Sequence, residues 1–555
     1  MIRTRLLATL VVVLLLLLLL LSAHSWAVDP VTEPGQKFLE DQRRQNELNN
    51  LQQRQDAFQQ PPGYRDIPLE ASCFPVDEIL ISGNTILSRS DITSVVSRYR
   101  KRCLGKDGIN QLMQELTAEY IDQGYITSRV YIPPQDLRRG ILELVVIEGY
   151  VEAISINNNH QDDRDKLWWV MSPSWGKHLR LPEIEQALDQ INRVPSANAT
   201  MKLWPGQKTG STHVQILNSV DDEVRGSVSV SNDGQENTGR NKTRLGVEAD
   251  NILGINDSAS LNLISSTNTN AVTLNAGMPF RWWNFDVSHS YSEYLNVLPE
   301  NTDLFGQSNT SAMNVAYLAF RDSRSRLTVK SSVTVRRSER HILGVKLTPQ
   351  KLAPIRLAVN YSSNNTWGFF SAELAHIHGT GLFGATHDSP SASGHTPLAR
   401  FQKQDVRLTL GAPVFRYASL QTTIAGQYTD DSLYSSEQIH LGDAASVRGS
   451  DTTFASGDRG FYIQNTLTLP GRNMASLLGI DSPVLSGISA RVFSDYGRVR
   501  NLAAPDNIEG TGIGAGIRIV YQHFNADLWW ARLAQSRREY AGQNVFSFNL
   551  GLKVF

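Results

Sequence analysis

The chain has 555 residues, with 53 lysines and arginines against 54 aspartates and glutamates, and its formal net charge is -1. This length exceeds what one compact core accommodates, so several domains are expected. The balanced charge excludes a strongly basic nucleic-acid-binding protein, because such a protein needs an excess of cations to contact the phosphate backbone.

Residues 1–27 have the layout of a secretory signal peptide. Two arginines precede an apolar run from Leu6 to Leu21, and Ser25-Trp26-Ala27 places small residues before a cleavage site. Cleavage after Ala23 and an uncleaved anchor are alternatives, since the run is long. No later uninterrupted apolar stretch approaches the roughly 20 residues that a spanning helix needs. We therefore expect an exported chain that is soluble in the periplasm, secreted, or a membrane barrel.

Residues 28–67 are expected to contain one helix and a linker. Good helix formers dominate from Pro34 to Gln59, and Pro61-Pro62-Gly63 ends the pattern. The apolar residues are too sparse for a core-facing stripe, so this helix is polar nearly all round. Such a helix suits a water-filled pore as a plug, and a linker with transient helicity is the alternative.

Residues 68–222 predict two consecutive β-α-α-β-β units, at 68–148 and 149–222. A repeat with a period of about 75 residues indicates duplicated modules. The predicted strands are 76–86, 128–132, 141–147, 151–156, 201–204 and 212–217, and the predicted helices are 91–102, 107–123, 163–170 and 181–191.

The two cysteines of the chain, Cys73 and Cys103, both lie in the first predicted module. In an exported chain this pair predicts one disulfide, with two free thiols as the alternative. Closing a loop of this length would stabilise the module by about 3–4 kcal/mol if the stabilisation comes from chain entropy.

Residues 223–555 alternate between apolar and polar side chains, as strands with two different faces do. In the last strand Phe546, Phe548, Leu550, Leu552 and Val554 share one face, and Ser547, Asn549, Gly551 and Lys553 share the other. Lysines and arginines fall on the polar face in mid-strand, where a lipid-facing cation would cost about 2–4 kcal/mol. At about 20 residues per strand and connection, this segment predicts a transmembrane β-barrel of about 16 antiparallel strands. A soluble all-β domain is the alternative, because alternation does not reveal which face is wet.

Two tryptophan pairs lie near the predicted ends of barrel strands. They are Trp282-Trp283 and Trp529-Trp530. Tryptophan favours the interface between lipid and water, so we expect both pairs in an aromatic girdle.

Two short segments of the predicted barrel concentrate the candidate functional residues. Val447-Arg448-Gly449 lies in a turn-rich stretch, and alternation in 491–497 places Phe493, Asp495 and Gly497 on the polar, luminal face. A carboxylate on the inner wall needs a cation, which an inward-folded Arg448 would supply through paired hydrogen bonds. Each segment alone is a weak signal, and a solvated surface loop is the competing interpretation.

Together these segments resemble a known family. Val447-Arg448-Gly449, the downstream Phe493-x-Asp495-x-Gly497, two preceding β-α-α-β-β units and a C-terminal Phe555 are similar to the outer-membrane transporters of two-partner secretion, in the BamA-type superfamily. A second match resembles the second periplasmic module of the haemolysin, haemagglutinin and contact-dependent-inhibition transporters. It consists of Asn192, Arg193 and Pro195 with Trp204, Pro205 and Gly206. The resemblance extends over essentially the whole mature chain.

The resemblance implies a plug helix, two POTRA domains, a 16-stranded barrel and an inward loop whose Arg448 pairs with Asp495. It also implies an outer-membrane translocator that exports a haemolysin-, adhesin- or inhibition-toxin-type exoprotein without nucleotide hydrolysis. Phe555 would be the barrel signal for the barrel-assembly machinery and periplasmic chaperones, and we expect a monomer in outer-membrane lipid. Many relatives carry an aromatic after the loop glycine, whereas this chain has Ser450-Asp451, so the packing of the loop tip stays open.

The sequence predicts no catalytic, cofactor or metal site. Residues 204–210 include Gly, Lys and Thr but lack the spacing of a phosphate-binding loop. Four histidines share a Gly/Ser-rich stretch without a cysteine or carboxylate to complete a metal site, so a solvated external loop is expected. They are His376, His378, His387 and His395. A barrel-assembly insertase, a general porin and a soluble adhesin remain the alternative functions.

Overall fold

The computed structural model describes residues 70, 72–157, 163–171, 175–234, 239–298, 302–322, 324–389, 396–414, 417–479, 483–503, 507–535 and 542–554. The predicted signal peptide, the predicted plug helix, His395 and Phe555 lie outside these ranges. Across the described ranges, no helix combines the length and the apolar character needed to cross a bilayer.

The first module is a three-stranded sheet with two helices, and a two-stranded sheet lies beside it. Its elements are β1 (Phe74–Val76), β2 (Glu78–Ser82), α1 (Arg89–Val96), β3 (Arg102–Leu104), α2 (Lys106–Asp122), β4 (Arg129–Tyr131) and β5 (Ile141–Ile147). β5 pairs in parallel with β2 and antiparallel with β4. Aliphatic residues of α2 and β5, such as Leu112 and Leu142, form the buried core.

The disulfide between Cys73 and Cys103 is present, with a Cα–Cα distance of 5.3 Å, which confirms the prediction. Ser88 and Asp91 start α1 with a reciprocal capping box, because each side chain accepts the backbone N–H of the other residue. The helix ends at Val96 rather than near Arg102. Beyond Val96 the backbone forms turns, and Lys101 has a positive φ of 58° while its N–H bonds Val76 O at 2.7 Å.

The second module repeats the order of β2, α1, α2, β4 and β5. Its elements are β6 (Tyr150–Ile156), α3 (Asp163–Val170), α4 (Leu181–Ile191), β7 (Ala197–Pro205) and β8 (Ser211–Val220). β8 lies between β6, with which it is parallel, and β7, with which it is antiparallel. In both modules the last strand is therefore central, as a duplicated unit predicts.

The remaining strands form one closed, antiparallel barrel. The elements are β9 (Val224–Ser231), β10 (Lys242–Asp250), β11 (Ser258–Ser266), β12 (Thr269–Phe280), β13 (Trp283–Leu298), β14 (Thr302–Arg321), β15 (Ser325–Ile342), β16 (Val345–Lys346), β17 (Gln350–Leu352), β18 (Pro354–Asn365), β19 (Gly368–Gly379), β20 (Gln402–Val414), β21 (Ala418–Thr429), β22 (Ile439–Leu441), β23 (Ala455–Gly457), β24 (Arg459–Leu469), α5 (Gly471–Leu478), α6 (Pro483–Ser486), β25 (Ile488–Arg500), β26 (Asn507–Tyr521), β27 (Phe524–Gln535) and β28 (Asn544–Lys553). The short strands β16 and β17 pair with β15 just before β18 does, so the three together count as one strand position in the wall. The barrel wall therefore has sixteen strand positions. β28 pairs with β9 and closes the wall, while β22 and β23 form a separate hairpin.

Apolar side chains cover the outside of the barrel. On β28 Phe546 is 58% exposed while Ser547 is 4% exposed, and on β25 Val492 is 52% exposed while Asp495 is 1% exposed. A soluble domain would bury the apolar face, so the alternation is that of a lipid-facing barrel. Trp529 departs from the girdle prediction, because its ring packs edge-to-face on the inward Phe493 at 6.0 Å.

The barrel has two distinct ends. The β12–β13 and β14–β15 connections contact the second module, so we call this end of the barrel the module end. Antiparallel order then places the connection between β21 and β24, residues 430–458, at the far end. This connection contains the β22–β23 hairpin and the predicted Val447-Arg448-Gly449 segment.

Candidate functional site

The connection at residues 430–458 folds back into the barrel, and we call it the inner loop. Its tip, residues 442–454, contains Val447 and Phe454, and both side chains are buried. They pack in one cluster with Tyr462 of β24, Val499 of β25 and Leu533 of β27. The inner loop is therefore part of the barrel interior, and the solvated-loop interpretation is wrong.

The tip delivers Arg448 to Asp495 on the inner face of β25. Arg448 Nε donates to Asp495 Oδ2 at 2.7 Å, and Nη2 donates to Oδ1 at 2.6 Å. The backbone N–H of Arg448 also donates to Oδ2 at 3.0 Å. Both side chains are buried, so this two-pronged contact is a charge-assisted pair that is shielded from water.

Two further contacts fix the plane of the guanidinium. Arg448 Nη2 donates to Thr466 Oγ1 of β24 at 3.1 Å. Arg448 Cζ lies 3.7 Å from the centre of the Phe493 ring, the geometry of a cation–π contact. The ring of Phe493 thus packs against the guanidinium of Arg448, which explains why an aromatic residue lies two positions before Asp495 on the same strand face.

Glycines allow the tip to approach the wall. Gly449 has a φ of +116°, and a Cβ there would lie 2.7 Å from the backbone of Arg532 and Leu533. A Cβ on Gly497 would lie 2.6 Å from Leu441 and 2.8 Å from Val447. Both positions therefore exclude a side chain while the tip is docked.

The residues after the loop glycine also contact the wall. Ser450 Oγ donates to Gln543 Oε1 at 3.3 Å, and Asp451 lies 3.4 Å from the guanidinium of Arg240. Polar contacts thus occupy the position at which an aromatic was expected from the resemblance.

The motif of the second module surrounds one edge of β7. Asn192 ends α4, and its carboxamide accepts the N–H of Ala199 at 2.6 Å and donates to Ala199 O at 2.9 Å. Pro195 lies in the turn between Asn192 and β7. The motif therefore orients the start of β7 relative to α4.

The Pro205-Gly206 turn forms the other end of β7. A Cβ on Gly206 would lie 2.2 Å from Ser211 Oγ and 2.3 Å from Glu152 Oε2, so only glycine fits there. The hydroxyl of Ser211 donates to Glu152 and lowers the pKa of that carboxyl below its ordinary value.

The second module is joined to the barrel by ion pairs that the sequence did not predict, although Arg193 belongs to the motif identified there. Arg193 Nη2 lies 2.7 Å from Asp286 Oδ1 of β13. Arg321 of β14 contacts Glu185 at 3.0 Å and Asp189 at 2.5 Å, and Arg326 also contacts Asp189. These partners are distant in sequence, so no local pattern connects them.

The histidines do not form a metal site among the residues that the structure describes. His376 and His378 are both exposed at the far end of β19, and His387 is exposed in the following connection. The expected external loop thus contains His387, whereas His376 and His378 belong to a barrel strand, because β19 extends to Gly379.

Comparisons with known proteins match this architecture. The family profile described as haemolysin secretion/activation protein ShlB/FhaC/HecB matches residues 210–519, and two POTRA profiles match residues 74–149 and 150–205. The haemolysin transporter protein HpmB of Proteus mirabilis is 30% identical over 523 residues, which cover 90% of this chain and 89% of the relative.

The chain belongs to this family. It is a two-partner secretion transporter, located in the bacterial outer membrane with its POTRA domains in the periplasm. The outer membrane transporter CdiB of Dickeya dadantii is 29% identical over 87% of both chains. The structure of CdiB from Escherichia coli has the same fold, with a TM-score of 0.83 at 23% identity over 95% of this chain and 100% of that chain.

Proposed function

We propose that this two-partner secretion transporter exports one large exoprotein of the haemolysin, adhesin or contact-dependent-inhibition class through its barrel. The observation that carries the proposal is the inner loop, which folds into the lumen and whose tip is fastened by the contact between Arg448 and Asp495. A loop held by side-chain contacts can be released without unfolding the wall, whose strands are joined by backbone ladders.

The exoprotein first binds a POTRA domain as an extended chain. β7 is an edge strand of nine residues, and β8 covers only one of its sides. The side chain of Asn192 hydrogen-bonds the N–H and C=O of Ala199, which point away from β8. Because every second residue of a strand points its backbone groups to the same side, the N–H and C=O of Met201 and Leu203 also point towards this open edge. An added strand would pair there through backbone hydrogen bonds.

This docking site is tested with Met201→Pro, which removes an outward N–H, against Met201→Val as the matched control. Exoprotein secretion is expected to fall with Met201→Pro and to persist with Met201→Val. Equal secretion by the two variants would place the binding site elsewhere.

The source of direction is proposed to be the folding of the exoprotein outside the cell, without nucleotide hydrolysis. We further propose that the transporter acts as a monomer in outer-membrane lipid and is assembled by the barrel-assembly machinery with periplasmic chaperones. A helix within residues 34–59 would plug the pore at rest, and deleting it should raise the conductance of the purified protein in planar bilayers.

The experiment that tests the function is secretion in a host that carries the transporter and the exoprotein encoded beside it. The exoprotein should appear in the medium with the transporter and remain in the periplasm without it. An outer-membrane insertase would instead change the level of other barrels, and a general porin would leave the exoprotein inside.

A further inference from the structure

A second group of buried charges holds the inner loop at the extracellular end of the lumen. Glu437, in the arm of the loop between β21 and β22, is 7% exposed. Its Oε1 accepts a hydrogen bond from Arg336 Nη1 of β15 at 2.9 Å. Its Oε2 lies 3.1 Å from Lys403 Nζ of β20. We call Glu437, Arg336 and Lys403 the arm anchor.

The arm anchor also holds the backbone of the loop. Lys403 Nζ donates to the carbonyl of Glu437 at 2.8 Å, and Gln427 Nε2 donates to the same carbonyl at 3.1 Å. Arg336 Nη1 donates to the carbonyl of Ser436 at 3.3 Å. Five contacts thus converge on two consecutive loop residues, which fixes the position of the arm and not only one side-chain rotamer.

The two attachments of the inner loop use different strands of the wall: the arm contacts β15 and β20, and the tip contacts β24, β25 and β27. Arg336 belongs to β15, whereas the tip reaches β27, where Gly449 lies against Arg532 and Leu533. In the circular strand order β15 and β27 are eight positions apart, which is half of the sixteen, whereas Lys403 on β20 and Asp495 on β25 are three positions apart. A loop that contacts both β15 and β27 therefore crosses the lumen.

Charge balance makes the arm anchor sensitive to the loss of its carboxylate. Glu437 is close to two cations, and Asp405 of β20 interacts electrostatically with Lys403. If the charge of Glu437 is removed, Arg336 and Lys403 remain buried with one countercharge fewer, which is unfavourable in a shielded site. Glu437 belongs to the loop and both cations belong to the wall, so removing its charge weakens the attachment of the loop to the wall.

We propose that Glu437 is a positioning residue that fastens the arm of the inner loop to strands β15 and β20 of the wall. The inference rests on the proposed export function in one respect: an exoprotein can pass only after the arm anchor opens. Opening of the anchor itself is a property of the transporter alone and can be measured without any exoprotein.

The test uses a single reporter thiol. Both native cysteines are in the disulfide, so Ser436→Cys introduces one reactive group beside the anchor. The hydroxyl of Ser436 is buried, and a water-soluble maleimide should label the thiol slowly in the folded full-length protein. Adding Glu437→Gln should speed labelling by about tenfold, which corresponds to a loss of about 1.4 kcal/mol in the free energy of local opening.

A matched control is available in the wall. Glu373 of β19 also lies between a lysine and an arginine, at 2.7 Å from Lys330 and 2.6 Å from Arg356, but all three belong to barrel strands. Glu373→Gln should leave the labelling of Ser436→Cys unchanged.

The proposal is overturned if Glu437→Gln labels at the parent rate, or if Glu373→Gln accelerates labelling equally. Folding is checked by the heat-dependent gel mobility of the barrel. If Glu437→Gln does not fold, Glu437→Asp takes its place, and labelling at the parent rate by that shorter side chain overturns the proposal as well. Since labelling needs no exoprotein, failure of secretion alone leaves this result intact.

Discussion

Removing either partner of the Arg448–Asp495 pair should release the tip of the inner loop while the barrel stays folded. Asp495 accepts three hydrogen bonds from Arg448, and its side chain has no exposed surface. Arg448→Ala leaves this carboxylate buried without its cation, which costs about 3–5 kcal/mol. The free-energy cost of Asp495→Ala should be near the lower end of this range, because Arg448 keeps its contacts with Thr466 and Phe493.

A cost of about 3 kcal/mol would increase the open population of the tip by about a hundredfold. The assay is the maleimide labelling rate of Ser446→Cys, which is buried at the base of the tip. The double variant Arg448→Ala/Asp495→Ala should be less open than the sum of the two single effects predicts, because no unpaired charge remains. Arg448→Lys, which keeps the charge but loses the paired geometry, should be intermediate.

Both single variants should also lower exoprotein secretion while the heat-dependent gel mobility of the barrel is preserved. Additive effects in the double variant would refute the coupling, and parent labelling rates in the single variants would refute tip fastening by this pair. Normal secretion by Arg448→Ala and Asp495→Ala would remove its functional role.

Three further predictions concern separate parts of the chain. Gly497→Val should prevent tip docking, because even a Cβ there lies 2.6 Å from Leu441, and Ser446→Cys should then be labelled rapidly; slow labelling would contradict the close approach. Replacing Cys73 and Cys103 by serine should lower the stability of the first POTRA domain by about 3–4 kcal/mol, measured by protease sensitivity of the full chain in urea, whereas an unchanged midpoint would show that the disulfide contributes little. The pKa of Glu70 is lowered by backbone N–H groups of Gly108 and Asp107, and that of Asp91 by the hydroxyl of Ser88. Their stabilising effect is therefore complete above the ordinary values of 4.5 and 3.8 and is lost as the pH falls through the lowered values. Glu70→Gln with Asp91→Asn should flatten the acid dependence of protease sensitivity below pH 4.5, and an unchanged profile would assign that dependence to other groups.

Features with a local period could be predicted from the sequence. Alternation over one strand places Phe493 and Asp495 on the same face and Val492 on the other, and the structure has this arrangement. Helical and strand periodicity likewise located α4 and β5 at their observed bounds, because each buries one continuous apolar face.

Features that depend on distant partners could not be predicted. Glu437 meets Arg336 and Lys403 across 101 and 34 positions of sequence, and no spacing rule connects them. Trp529 looked interfacial because tryptophan favours that region, but its packing on Phe493 beneath the tip depends on tertiary placement. The end of α1 at Val96 was missed because Lys101 pairs with Val76 across the module.

The most direct test of the account is whether an exoprotein in transit lies inside the barrel. A photo-crosslinking amino acid is placed at Thr328, which shares the inward face of β15 with Lys330, or at the adjacent Val329, which faces outward. With export stalled by a folded domain fused to the exoprotein, crosslinks should form from Thr328 and be absent from Val329. Crosslinks from Val329 alone, or from neither position during active secretion, would contradict passage through the lumen.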